Sequence, residues 1–294
     1  TMVSMVAGIV AVCVNLGLNY LLIFGKFGFP MLGVVGAAVA TVISRYVQAA
    51  VVTVWTHTHA GRMPFITGAY RKLRIPGQLV VNILTKGVPL TINEILWAAG
   101  MAALMQCYSV RGLQTVAALN ISTTISNLFN VVFIALGSAI AILLGQMLGA
   151  GQIRQAREEA VKLTFFSVVF CMLFSVLQFA VAGVFPLFYN TSDQVRGLAA
   201  GLIRITAVCM PLYAYVNSAY FIIRSGGKTV VTFFFDSVYT WVVILPAVYA
   251  ASHFTGIPLY GLYLIVQGTE LLKCFIGHFL VKKGTWAVDL TQTV

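Results

Sequence analysis

Ionisable side chains inside apolar segments are the residues best able to do chemistry in this chain, because a charge within a membrane is kept at a high energetic cost. Glu94 lies in the segment GVPLTINEILW, at 87–97, with Asn93 and Trp97 as neighbours. Its carboxylate could carry a proton or hold a cation, or it could pair with another group and join helices; the sequence leaves both open. Pro89 slightly favours the first interpretation, because a proline within a helix frees a carbonyl and bends the chain.

The other ionisable groups in the apolar segments suggest structural roles. Asp236 lies about one and a half turns into its segment, near Lys228, and we interpret it as an anchor at the membrane interface. Glu270 and Lys273 are three residues apart. They share a helix face, so we expect them to neutralise each other.

Amides and hydroxyls form a second set of candidates. Asn15 and Asn19 are one helical turn apart and share a face, and Thr41 lies on the next apolar segment. Oxygens of these types can coordinate a cation, but hydrogen bonding between the two helices explains them as well. From spacing alone the hydrogen-bonding interpretation is favoured.

One apolar segment, near 113–147, is unusually rich in polar side chains. They are Asn120, Ser122, Thr123, Thr124, Ser126, Asn127 and Asn130. So many polar groups on one membrane helix predict either a wet face or a tightly packed bundle interior.

Composition indicates that most of this chain is surrounded by lipid. Hydrophobic residues make up 60% and charged residues 9% of the 294 residues, whereas a soluble domain carries about 25% charged residues. The net charge of +11 does not indicate a nucleic-acid partner, because the basic residues lie between apolar segments and form no stripe.

Eight apolar segments are long enough to cross a bilayer, which takes roughly 20 residues as helix. We place them near 2–25, 32–56, 79–107, 113–147, 163–189, 197–223, 229–252 and 259–281. Backbone groups find no water inside lipid, and the alternating pattern of a membrane barrel is absent. The sequence therefore predicts an all-α membrane protein with eight transmembrane helices.

The distribution of Lys and Arg predicts the orientation of these helices. One set of connections contains Arg62, Arg71, Lys72, Arg74, Arg154, Arg157, Lys162, Arg224, Lys228, Lys282 and Lys283, and the opposite set contains Lys26, Arg111 and Arg196. Because basic connections stay on the cytoplasmic side, we place the first set and both chain ends in the cytoplasm, and the protein in a plasma or inner membrane.

A four-residue pattern occurs twice, 228 positions apart. Pro30, Gly33, Thr41 and Arg45 have the same spacing as Pro258, Gly261, Thr269 and Lys273. Its two copies fall on the first two and the last two segments, which predicts a parallel repeat of six helices. We therefore expect about four further helices upstream of Thr1.

This repeat predicts the organisation of the chain. We expect the last two helices of an N-terminal lobe at 1–56, a cytoplasmic inter-lobe linker at 57–78, a six-helix C-terminal lobe at 79–283, and a cytoplasmic tail at 284–294. The linker is the longest and most basic connection.

Nothing in the sequence predicts an enzyme. The five cysteines lie in apolar segments without the spacing of metal ligands, and the four histidines form no catalytic pattern. We expect no cofactor and no metal site, apart from a coupling ion.

Several stretches, taken in order, are similar to the multidrug and toxic compound extrusion (MATE) transporters. NLGLNYLLIFGKFGFPMLGVVGAAVAT, at 15–41, resembles their fifth and sixth helices. GVPLTINEILW, then GQMLGAGQIRQAREEA at 145–160, then IIRSGGKT at 222–229, resemble landmarks of their C-terminal lobe. The resemblance implies helices five to twelve of a twelve-helix, two-lobe transporter that exports cationic amphipathic compounds in exchange for Na⁺ or H⁺ by alternating access.

The resemblance also implies roles for particular residues. Asn15, Asn19 and Thr41 match positions that in some members help to form a cation site in the N-terminal lobe, although those members have Asp where this chain has Asn19. Glu94 lies about one turn from an acidic position on the seventh helix of other members. Tyr213 stands near the position of their tenth-helix acid.

From these observations we expect an antiporter that works as a monomer when complete, surrounded by membrane lipids, with small organic cations as substrates. Glu94, Asn15, Asn19 and Thr41 would bind the coupling ion or proton. The residues expected to line the substrate cavity are Asn93, Trp97, Asn120, Asn127, Tyr213 and Asn217.

Two alternatives remain open. A related flippase would move a lipid-linked precursor between leaflets, with Arg204 and Lys86 as the best candidates for binding an anionic headgroup. The chain could also be a truncated fragment that does not transport.

Overall fold

Long helices account for most of the computed structural model, which describes residues 2–62, Ile66 and 77–288. Within those residues there is no β-strand. The helices are α1 (Met2–Phe24), α2 (Val34–Thr58), α3 (Gly77–Ser109), α4 (Leu113–Gly149), α5 (Ile153–Val181), α6 (Asp193–Ser225), α7 (Thr229–Phe254) and α8 (Leu259–Lys283). Each contains a window long and apolar enough to cross a membrane, which confirms the predicted class and number of helices.

The boundaries of the fifth helix differ most from prediction. The apolar pattern places it at 163–189, but α5 begins at Ile153 and ends at Val181. Its first turns are charged and remain helical, because Arg154 pairs with Glu158 and Lys162 with Glu159 along the helix surface. After α5 the apolar run continues as a short 3₁₀ turn, Phe185–Phe188, which contains Pro186.

The chain divides into two compact units, Thr1–Val80 and Val81–Val294. In the first unit α1 and α2 pack against each other as a hairpin. The backbone N–H of Leu32 donates to the Leu22 carbonyl oxygen at 2.8 Å, which fixes the turn. Gly36 lies so close to Leu22 that a β-carbon there would be 2.7 Å from its carbonyl oxygen, so the hairpin requires a residue without a side chain at this point.

The second unit is organised around α6, which packs against α4, α5 and α8. Its buried residues take part in three successive apolar clusters along its length, represented by Leu202, Met210 and Ile222. Ser192 starts the helix by accepting a hydrogen bond from the backbone N–H of Val195 at 3.4 Å, the usual way of satisfying a free N–H at a helix start. Because α6 packs against three neighbouring helices, it carries many buried residues.

The seventh membrane helix is wider than an ordinary α-helix over much of its length. Two stretches of α7, Phe234–Val238 and Thr240–Ile244, are π-helical. A π-helix adds a residue to each turn and so turns side chains to new directions, and such segments occur frequently at functional sites. The two stretches contain Asp236, Ser237 and Trp241, which form hydrogen bonds with the middle of α3.

Part of the predicted linker and tail lies outside the described residues. For the linker at 57–78, α2 continues to Thr58 and α3 begins at Gly77, and 63–65 and 67–76 are not described. In the predicted tail at 284–294, Trp286 packs into the cluster formed by α4, α5 and α6 and is 2% exposed. The Arg157 guanidinium donates to the Gly284 carbonyl oxygen at 3.0 Å, which holds the chain there.

Close packing between α4 and α6 predicts a graded response to two glycine substitutions on α4. A β-carbon at Gly137 would overlap the Asn217 side-chain oxygen and the Phe221 ring, whereas one at Gly145 would meet nothing within 4 Å. We expect Gly137→Ala to destabilise the protein by about 1–3 kcal/mol through overpacking. Thermal unfolding of the purified protein in detergent measures this.

Gly145→Ala is the matched control on the same helix. It should leave the unfolding temperature unchanged or raise it, since Ala is favoured over Gly in helices by about 1 kcal/mol. Equal unfolding temperatures for the two variants would contradict the close contact between α4 and α6.

Candidate functional site

A buried group of polar side chains lies among α3, α6, α7 and α8 in the second unit. We call it the Asp236 cluster, and its members are Asn93, Tyr220, Asp236, Ser237 and Lys273. Asn93 is 1%, Ser237 0% and Lys273 6% exposed. Because unpaired polar groups at such depth are strongly unfavourable, the cluster requires its internal hydrogen bonds.

An ion pair forms the centre of the cluster. The Lys273 Nζ donates to Asp236 Oδ1 at 2.8 Å, and the two side chains are 7% and 19% exposed. The ammonium also lies 5.4 Å from the ring centre of Phe235 and 5.8 Å from that of Tyr239. These ring faces add a favourable cation–π contribution on sides where the ammonium has no carboxylate.

Asn93 links the ion pair to α3 and α6. Its Nδ2 donates to Asp236 Oδ2 at 3.3 Å and to the Tyr220 hydroxyl at 3.4 Å. The Ser237 hydroxyl lies 2.8 Å from Asn93 Oδ1 and 2.9 Å from the backbone oxygen of Asn93, and donates to them. Both oxygens of Asp236 and both polar atoms of the Asn93 amide are therefore paired.

The π-helical part of α7 presents Asp236 and Ser237 to this group together. The Thr240 hydroxyl donates to the Asp236 backbone oxygen at 2.9 Å, and the Trp241 indole N–H donates to the Leu96 backbone oxygen at 3.0 Å. The first bond satisfies a carbonyl of the widened helix, and the second fastens α7 to α3. Both stabilise the register that places Asn93 opposite Asp236.

The expectation that Lys273 pairs locally with Glu270 is wrong, whereas the interpretation of Asp236 as an anchor at the membrane interface stays a prediction. Lys273 forms its salt bridge with Asp236 on the neighbouring helix. Glu270 is half-buried and interacts with both charges at longer range. The spacing on α8 permitted the local pair, but the short contact across helices puts the ammonium beside a carboxylate that also accepts from Asn93.

Asn93 is 1% exposed, whereas its neighbours Glu94 and Trp97 on α3 are both accessible. Glu94 is exposed on the surface of the described chain, and Trp97 is 46% exposed. Glu94 still interacts electrostatically with the Tyr220 hydroxyl, so it lies beside the Asp236 cluster without being a member. Of the residues expected in the ion site and cavity, the structure brings Asn93 into the cluster and leaves Glu94 and Trp97 accessible.

The remaining predicted cavity residues do not form one group. Asn120 is exposed and lines a shallow depression with Thr124 and Tyr189. Asn127 is exposed two turns further along α4. Tyr213 on α6 donates to the Gln267 side-chain oxygen of α8.

Asn217 follows Tyr213 by one turn on α6 and is half-buried. Its side-chain oxygen is buried, packs near Gly137, and accepts no hydrogen bond within the described part of the chain. It is thus an acceptor on the α4–α6 interface that a solvent or ligand donor would satisfy.

Asn15, Asn19 and Thr41 are brought together in the first unit. Asn19 Nδ2 donates to Asn15 Oδ1 at 3.0 Å, and Asn15 Nδ2 donates to the Thr41 hydroxyl oxygen at 3.4 Å. Thr41 in turn donates to the Ala37 backbone oxygen at 2.9 Å. The Asn19 side-chain oxygen is buried and has no hydrogen-bond donor among the described residues. It is therefore an acceptor that is available to a bound ion or to water.

The two copies of the repeated pattern have different surroundings. Gly33 directly precedes α2 with φ at 54°, whereas Gly261 lies inside α8. Arg45 is exposed and donates to Gln48 at 3.0 Å. Lys273, at the equivalent place in the second copy, is buried against Asp236.

Comparison with protein-family models gives a match to the family described as MatE over residues 89–250. That range is more than half of the chain and includes Asn93, Glu94, Tyr220, Asp236 and Ser237. The chain belongs to the MatE family. It is a multi-pass membrane protein.

Several curated relatives of this MatE protein are named as multidrug resistance proteins or probable ones. It is 24% identical to the probable multidrug resistance protein YoeA of Bacillus subtilis, over 87% of this chain and 55% of that protein. It is 24% identical to the probable multidrug resistance protein NorM of Thermotoga maritima, over 92% and 58%. It is 25% identical to MdtK of Edwardsiella ictaluri, over 84% and 54%. The chain thus spans about half the length of these relatives.

Solved structures share the fold of this MatE protein. A MATE transporter in the straight conformation matches with a TM-score of 0.82 and 18% identity, over 95% of this chain and 61% of that one. The Vibrio cholerae MATE transporter VcmN in the bent form matches with a TM-score of 0.79 and 19% identity, over the same shares.

The sequence predicted Asn93 as a residue lining the substrate cavity, whereas the structure buries it in the Asp236 cluster with partners that the sequence did not predict. Asp236 and Lys273 were noticed as charges in apolar segments, and that rarity was the available signal. Tyr220 and Ser237 gave no signal, because a single hydroxyl on an apolar helix is common. Only the packing of α7 against α3 and α8 shows that these side chains meet.

The buried ion pair predicts a strongly non-additive response to mutation. Asp236→Asn or Lys273→Met alone leaves a buried charge without its partner, which destabilises by about 3–5 kcal/mol. The double variant removes both charges and should be close to wild type. Unfolding temperatures of the four purified proteins in detergent measure the coupling.

Glu158→Gln provides the matched control for this cycle. Its partner Arg154 is 95% exposed, and an exposed pair contributes about 0–1 kcal/mol. If the double variant lost as much stability as the sum of the two single variants, the two charges would not be paired.

Proposed function

We propose that this protein is a secondary active transporter that exports cationic amphipathic organic compounds in exchange for Na⁺ or H⁺ by alternating access. The observation that carries this proposal is the MatE match over residues 89–250, a range that includes Glu94 and Asp236. The naming of several relatives as multidrug resistance proteins supports the substrate class. A complete protein would work as a monomer in the cell membrane, with both ends of this chain in the cytoplasm.

Glu94 is our candidate for the exchangeable acid of the second unit. It is exposed and forms no salt bridge with another described residue, in contrast to Asp236, whose two oxygens are occupied. A carboxylate that takes up and releases an ion in each cycle needs such free access. Its position next to the Asp236 cluster would let its charge state act on helices α6 and α7.

The amide group of the first unit is our candidate for a second ion-binding region. Asn15, Asn19 and Thr41 offer neutral oxygens, one of which lacks a donor. Neutral oxygens suit Na⁺ better than a proton, since an amide does not take up a proton at physiological pH. Coupling at this place would therefore favour Na⁺.

Trp97 is our candidate for recognising the organic cation. Its ring is half exposed one turn after Glu94, so a bound cation could contact the indole face and the carboxylate together. The amides Asn120 and Asn127 are exposed on α4 and would line other parts of a cavity. Tyr213 and Asn217 would contribute from α6.

Dye efflux from cells tests the role of Glu94. In cells that produce the natural protein containing this chain, we expect Glu94→Gln to reduce efflux of a cationic dye to the level of cells without the transporter. The substitution keeps the side-chain shape and removes the charge. Equal amounts of membrane-inserted protein must first be shown by immunoblotting.

Glu158→Gln is the control, because it removes a carboxylate from the exposed charged start of α5. Efflux in this variant should match wild type. Unchanged efflux in Glu94→Gln would remove Glu94 from the mechanism. Movement of a fluorescent lipid without dye efflux by the wild type would instead favour a flippase.

Substitution of Trp97 tests substrate recognition separately from coupling. Loss of a cation–π contact worth about 0.5–2 kcal/mol should raise the dye concentration for half-maximal efflux several-fold in Trp97→Ala. Trp97→Phe keeps an aromatic face and should stay close to wild type. The same half-maximal concentration in Trp97→Ala as in wild type would show that this ring does not bind the dye.

A further inference from the structure

The Asp236 cluster contains the oxygen types that bind a small hard cation. A carboxylate, an amide oxygen and two hydroxyls come from Asp236, Asn93, Ser237 and Tyr220, which belong to three different helices. Oxygen donors of these types suit small hard cations, and buried sites between membrane helices are where transporters bind coupling ions. Among these groups the Asp236 carboxylate is the one that carries a negative charge, whereas the Asn93 oxygen accepts from Ser237 and the Tyr220 hydroxyl accepts from Asn93.

A side chain of the protein already provides the positive charge. The Lys273 Nζ is 2.8 Å from Asp236 Oδ1, the distance of a charge-assisted hydrogen bond. Phe235 and Tyr239 face the ammonium on other sides. An ammonium is a compact point charge, so it can take the place of a small metal cation beside a carboxylate.

We propose that Lys273 is a tethered cation that takes the place of a free Na⁺ beside the Asp236 carboxylate, so that the second unit binds no free Na⁺ there. A covalently attached cation cannot dissociate into the water on either side of the membrane. Asp236 then fixes the helices α3, α7 and α8 and does not exchange its ion. Any free coupling ion of this protein binds elsewhere, and this inference holds whether or not the protein exports drugs.

The contrast with the first copy of the repeated pattern supports this assignment. Arg45 lies at the position equivalent to Lys273 but is exposed and contacts Gln48. A cation at this offset is therefore not buried by the pattern alone. The burial of Lys273 accompanies the presence of the Asp236 carboxylate and of the Phe235 and Tyr239 rings around it.

Removal of the Lys273 ammonium should allow Na⁺ to bind beside Asp236. Lys273→Met keeps an unbranched side chain that is one atom shorter and leaves Asp236 with an unpaired negative charge. We expect Na⁺ to raise the unfolding temperature of this purified variant, in a saturable manner, above its value in equal concentrations of N-methylglucamine chloride. The readout is the response of the variant minus that of wild type, so that an ion bound elsewhere cancels.

The double variant Asp236→Asn with Lys273→Met is the matched control. It lacks both charges, so its response to Na⁺ should equal that of wild type. An Na⁺ response in Lys273→Met that is no larger than in wild type would overturn the proposal, and so would an equal response in the double variant. Lys273→Gln provides the same comparison with a polar side chain if Lys273→Met does not insert.

Binding of radioactive Na⁺ provides a measurement that does not depend on the single variants. The tethered-cation proposal expects the same number of ions bound by wild type and by the double variant, because neither has a vacant carboxylate at position 236. Fewer ions bound by the double variant would show that wild type binds free Na⁺ at Asp236, and would overturn the proposal. Neither measurement uses transport, so its failure is distinguishable from failure of the export function.

Discussion

The constraint on which the second unit depends is the neutralisation of a carboxylate inside an apolar bundle. Asp236 is acceptable there because Lys273 supplies an ammonium at 2.8 Å and Asn93 supplies an amide N–H at 3.3 Å. Each partner comes from a different helix, so the three helices must keep one register for the charge to stay paired. In a low dielectric, loss of any one partner leaves a group whose burial is strongly unfavourable.

The rest of the unit supports that register with apolar contacts. α6 carries Leu202, Met210 and Ile222 into three successive clusters, and its Tyr220 accepts from Asn93. Apolar packing in a membrane does not by itself select a register, because lipid tails are as apolar as leucine. Directional bonds select it: the Trp241 indole N–H on the Leu96 oxygen and the Ser237 hydroxyl on Asn93 admit one alignment of α7 on α3.

The structure distinguishes two kinds of acidic residue, Asp236 on α7 and Glu94 on α3. Asp236 has both oxygens occupied and is suited to holding helices together, whereas Glu94 is exposed and suited to exchange. The neutral oxygens of Asn15 and Asn19 add a third environment in the first unit, where no carboxylate is involved.

The amino-acid sequence by itself determined the membrane class, the eight helices and the family, because hydropathy and ordered motifs depend on residues close together in the chain. Helical spacing also predicted that Asn15 and Asn19 share a face, and the hydrogen bonding expected between their helix and that of Thr41 is present. Only the tertiary structure decided that Lys273 pairs with Asp236 and not with Glu270. An i,i+3 spacing permits a contact within one helix. Which carboxylate pairs with Lys273 depends on the distance between α7 and α8 and on the π-helical turn that orients Asp236. Neither of these has a local sequence pattern.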